Sequence, residues 1–132
     1  MMTRPLLKNM IVTAALMISP LVGGGEALAH GSMKPQHGGQ VALAGEVVVE
    51  LVRAPRSVSI YLTDEDEPLA ASDYTGKLIV SAGAAKRDVA LKVAASNRLD
   101  APGLKVAKGA KITVSLITKS NQARSMASFT AK

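Results

Sequence analysis

The sequence has 132 residues, with 16 Lys and Arg against 10 Asp and Glu, a formal charge of +6 at neutral pH. It has no Cys or Trp, only 2 Tyr and 1 Phe, and 2 His. Disulfides, thiolate metal sites and cysteine nucleophiles are thereby excluded. So few stacking aromatics argue against a nucleic-acid or carbohydrate surface, and a mild positive charge is accounted for by solubility.

The first 29 residues have the parts of a secretory signal. Arg4 and Lys8 supply a positive start, residues 10–22 are apolar, and the segment ends in Ala27-Leu28-Ala29, a small-x-small triplet suited to signal peptidase. The apolar stretch contains Pro20 and falls short of the roughly 20 residues that span a bilayer. The expectation is a cleaved export segment, a periplasmic or otherwise exported protein with no stable membrane anchor, and a mature chain starting at His30.

Residues 30–39, His-Gly-Ser-Met-Lys-Pro-Gln-His-Gly-Gly, hold both histidines of the chain. With several glycines, a proline and no apolar run, they are expected to form a flexible N-terminal arm. A terminal His30 offers an amine and an imidazole nitrogen to one ion, His37 adds a second imidazole, and Met33 a soft thioether. Nitrogen ligands suit Cu(II) and a thioether suits Cu(I), so copper is the expected ion; nickel and zinc accept the same nitrogens. The competing expectation is an arm that binds no metal.

Beyond the arm, short alternating runs separated by turn residues dominate. Strands are expected at 40–43 and 46–52, the latter with Val47, Val49 and Leu51 on one face and Glu46, Val48 and Glu50 on the other. Residues 57–63 place Val58, Ile60 and Leu62 inward. The acidic run 64–67 ends at Pro68, and Thr75-Gly76 resembles a turn. Further strands are expected at 77–82, at 87–93 with Val89, Leu91 and Val93 inward, at 104–106, at 111–117, and at 123–130 with Phe129 as anchor. Residues 95–103 are expected to be the longest polar connection. About seven short strands at this spacing predict a single all-β domain over residues 40–132, an Ig-like antiparallel β-sandwich.

The residues His37-Gly38-Gly39, Glu46, Glu50, Tyr61, Asp64, Pro68, Gly76, Lys77 and Leu78 resemble the pattern of small exported β-sandwich domains that accompany bacterial heavy-metal and copper efflux components. A mature N-terminal histidine also resembles that of copper-resistance proteins, although a third histidine is lacking here. The resemblance implies a metal-efflux or copper-handling envelope protein as partner.

The acidic run Asp64, Glu65, Asp66 and Glu67 lacks the glycine-turned spacing of a calcium loop and is expected to be a solvated turn, with one carboxylate in reach of the arm if the loop folds over it. Met126 is expected in the core or on a sheet face. With both histidines in the arm, no serine or threonine has a base, and no phosphate loop or His-Glu-x-x-His motif occurs, so no enzyme is expected. Two functions follow: a periplasmic copper carrier, buffer or resistance protein, and a metal-free envelope interaction module.

Overall fold

The computed structural model describes residues 33–132. The expected export segment and His30 lie outside the described residues. Within them the chain forms ten strands: β1 (Gln40–Ala44), β2 (Val47–Ala54), β3 (Ser57–Asp64), β4 (Glu67–Pro68), β5 (Tyr74–Ala82), β6 (Ala85–Ala90), β7 (Lys92–Ala95), β8 (Arg98–Pro102), β9 (Lys111–Thr118) and β10 (Arg124–Thr130). One 3₁₀ turn, Ala71–Asp73, precedes β5.

The strands form two antiparallel sheets. One runs β1-β2-β3-β8-β7, with β4 paired to the end of β3; the other runs β10-β9-β5-β6. The orders β2-β3-β8-β7 and β10-β9-β5 reproduce the ABED and GFC arrangement of the immunoglobulin sandwich. β1, β4 and β6 are additions to that framework, so the chain has ten strands where about seven were expected.

Alternation produces the core. Val49 and Leu51 of β2, Val58, Ile60 and Leu62 of β3, Leu78 of β5, Leu99 of β8 and Ile112, Val114 and Leu116 of β9 are fully buried between the sheets. Each buried side chain of this size contributes about 1.5–3 kcal/mol relative to exposure. Phe129 closes the β10 side.

Several local expectations are corrected. The expected strand 87–93 is two strands, because the chain leaves one sheet after β6 and enters the other at β7. The crossing leaves Val89 and Leu91 half-buried and Val93 exposed. The expected polar connection 95–103 contains β8, whose Leu99 and Ala101 point into the core. Residues 104–106 are not a strand, although Leu104 and Val106 are buried. Thr75 and Gly76 lie within β5 rather than in a turn. A Cβ at Gly76 would stand 3.0 Å from Leu91 and 3.2 Å from Leu116, so glycine there admits the two leucines rather than bending the chain. Met126 sits on a sheet face and is exposed.

Candidate functional site

The expected flexible arm is pinned along its second half. Glu50 stands at the middle of β2 on the outer face of its sheet, where an unpaired carboxylate would normally face water. It is only 5% exposed because residues 36–39 lie over it. Its Oε1 accepts from the Gln36 amide at 2.9 Å and lies 3.0 Å from His37 Nδ1. Its Oε2 accepts from the amides of His37 at 2.8 Å and Gly39 at 2.9 Å. A carboxylate offers about four lone-pair sites, and all of them have donors.

Converging backbone N–H groups form a concave anion site of the nest type, here occupied by the protein's own Glu50. Two glycines make the path possible. Gly38 has φ +74°, a left-handed conformation that costs other residues energy. Gly39 passes so close to β2 that a Cβ would lie 2.2 Å from the Leu51 carbonyl oxygen. The His-Gly-Gly sequence is therefore a backbone requirement of this crossing as well as a source of imidazole.

Burial pushes the Glu50 carboxyl pKa up, but the Gly39 amide, the His37 side chain and the Gln36 and His37 amides outweigh it and hold the group below the ordinary carboxylate range. Glu50 is thus an anion with no proton to donate. In the neutral imidazole, the bond to this carboxylate places the ring proton on Nδ1 and leaves Nε2 as the nitrogen with a lone pair.

The register extends the cluster across the sheet. Glu50 pairs with Tyr61 of β3, and Tyr61 pairs with Arg98 of β8. The His37 ring stacks on Tyr61 with centroids 3.6 Å apart and planes 10° from parallel. The Tyr61 hydroxyl and, after it, the Asp100 charge hold the Arg98 guanidinium more firmly protonated than a free arginine. Arg98 Nε lies 3.1 Å from Asp100 Oδ1, within ion-pair distance but without the alignment of a hydrogen bond. Val48, 5% exposed, lies outside the main core and lines the recess beneath the arm with Val41, Tyr61 and Thr63.

Of the expected ligands, His37 has a fixed ring that is still 40% exposed, and Met33 is exposed. Among the described residues no three His, Cys, Asp or Glu side chains gather as a metal group. The acidic run forms the tip of the β3–β4 hairpin, with Asp64 opposite Glu67 and Glu65 and Asp66 at φ 47° and 67°. Sequence reasoning assigned Glu50 to a strand face but missed its role. The available signal was a glutamate amid valines on a strand that follows a glycine-rich arm.

Fold and site together define an immunoglobulin-like β-sandwich with an N-terminal arm locked onto one sheet through a histidine, a buried glutamate and a tyrosine. Comparison of the chain with protein-family models, characterised proteins and solved structures gives no match. Among the described residues no helix is long and apolar enough to cross a membrane.

Proposed function

We propose that the chain is an exported, non-enzymatic copper-binding sandwich in which His37 Nε2 is one ligand and His30 and Met33 supply others, serving copper carriage, buffering or resistance beside an efflux or copper-handling envelope protein. The observation that carries the reading is the His37–Glu50 bond. Metal-ligating histidines commonly give their second ring N–H to a carboxylate, which fixes tautomer and orientation and raises ligand basicity. Here Glu50 fills that role, and Tyr61 limits rotation of the ring. Nitrogen donors from His37 and a terminal His30 suit Cu(II), while Met33 adds affinity for Cu(I). Nickel and zinc are the competing ions.

The same contacts favour a second reading, in which His37 is a metal-free staple for the arm and the domain is an envelope interaction module. One experiment separates the two. Copper is titrated into exported protein whose intact mass establishes whether it begins at His30, in parallel with His37→Phe and the His30→Ala/His37→Ala double variant. The copper reading expects one ion per chain in the wild type and at least tenfold weaker binding in both variants. Equal, weak binding in all three rejects it and leaves the staple.

A further inference from the structure

The sandwich is electrically polar along its strands, a property that emerges only when the loops are assigned to ends. The β2–β3 turn carries Arg53 and Arg56 at its flank and tip. The β5–β6 hairpin arrives at the same end, since Ser81 pairs with both Lys86 and Lys111, and it brings Lys86 and Arg87. The connection from β8 to β9 adds Lys105 and Lys108 before Lys111 opens β9. Arg53 ties these loops together by donating to a backbone oxygen of Lys132, the last residue of the sequence, and to the Val106 carbonyl, the latter at 3.2 Å. Arg87 likewise donates to the Lys105 carbonyl at 3.1 Å.

Among the described residues, no Asp or Glu lies in these three loops. The nearest acids in the adjoining strands, Asp88 and Asp100, lie opposite Ile79 and Ser59, inside the sheets. The contacts of Arg53 with Val106 and of Arg87 with Lys105 are with neutral peptide carbonyls, and that of Arg87 leaves its charge uncompensated. The ion pairs His37–Glu50, Lys77–Asp88 and Arg98–Asp100 use none of these cations. The opposite end carries the acidic run 64–67 and Asp73, whose carbonyl accepts from the Lys119 amide just after β9.

From this distribution we infer that the basic end is a peripheral docking surface for an anionic lipid bilayer. The cations are spread over three separate loops rather than focused on a single pocket, which matches a broad sheet of charge. The residues between them are small: Ala54 and Pro55 in one turn, Gly83 and Ala84 in another, Ala107 and Gly109 in the third. They offer no stacking aromatic for nucleic acid and no large apolar group for insertion. The contact is therefore electrostatic and salt-reversible rather than an anchor. The acidic hairpin of a second copy is a narrow tip that would meet only part of this end. Docked this way, the acidic end faces away from the lipid. The inference stands independently of copper binding.

The test is sedimentation of exported protein with vesicles of phosphatidylcholine alone or with one third phosphatidylglycerol, at low and high salt. Each cation near such a surface is worth about fivefold in partitioning. The wild type should bind the anionic vesicles at least tenfold better than the neutral ones and release at 0.5 M salt. The triple variant Lys86→Glu, Lys105→Glu, Lys108→Glu should lose at least a hundredfold. A charge-matched triple away from this end, Lys92→Glu, Lys119→Glu, Arg124→Glu, should lose less than a tenth as much. Equal losses would show that net charge alone acts, and would overturn the inference. So would equal binding to neutral vesicles, or no vesicle binding together with salt-sensitive self-association of the protein.

Discussion

His37 lies flat on Tyr61, 3.6 Å between ring centroids, while its Nδ1 is held 3.0 Å from a carboxylate oxygen of Glu50. Tyr61 and Glu50 are direct cross-strand partners, so one rung of the sheet positions the ring in two dimensions. Stacking contributes about 0.5–1.5 kcal/mol beyond buried area. His37→Phe should keep much of that and lose only the bond to Glu50, lowering stability by about 1–2 kcal/mol. His37→Ala loses both and should cost more. Urea denaturation of the two variants checks the order; equal costs would mean the stacking contributes nothing.

Glu50 should matter more than any other polar residue in the domain. Glu50→Ala leaves the amides of Gln36, His37 and Gly39 without their common acceptor, and the arm should then leave the sheet. The expected loss is about 2–4 kcal/mol, in the range for breaking buried charge-assisted contacts. Hydrogen exchange supplies the sharper check: those three amides should become as fast as unstructured peptide, while β9 amides keep their protection.

Two adjacent glycines should respond differently. Gly39→Ala drives a Cβ to 2.2 Å from the Leu51 oxygen, a clash with backbone that cannot rotate away. Its cost should be about 2–3 kcal/mol. At Gly38 nothing lies within 4 Å and only the φ of +74° is unfavourable, so Gly38→Ala should cost about 1 kcal/mol. Thermal denaturation of both variants tests the ranking, which reverses if the arm does not cross β2 here.

The depressed carboxyl of Glu50 makes stability depend on acid. A group whose folded pKa lies below its unfolded value stabilises fully above the unfolded pKa, near 4.5, and loses that contribution as pH falls through the folded pKa. Melting temperature should therefore drop below about pH 4.5 more steeply in the wild type than in Glu50→Gln, which has no such proton to take up. Parallel pH profiles would show that other carboxylates carry the acid sensitivity.

Val93 and Leu99 provide a test of the sheet crossing. An uninterrupted strand over 87–93 would bury Val93, yet it is 51% exposed on β7, while Leu99 of β8 is 1% exposed. Val93→Ser should change stability by no more than about 0.5 kcal/mol, whereas Leu99→Ala should cost about 2–5 kcal/mol. Chemical denaturation distinguishes them directly.

The all-β character, the single sandwich and most of the core were legible from residue order, because a period of two writes the inner face of each strand into the sequence. Val58, Ile60 and Leu62, and Ile112, Val114 and Leu116, are buried as that period requires. The placing of both histidines in one decapeptide was legible too. Pairing across the sequence was not legible. Nothing local to Glu50 says that amides 11–14 residues upstream will fold back on it, that Tyr61 will stand beside it, or that Arg98 will complete the rung. Strand hydrophobicity says which face is dry, and an outer face covered by its own arm breaks that rule. Likewise the segregation of cations to one end depends on which loops meet, and long-range pairing alone decides that.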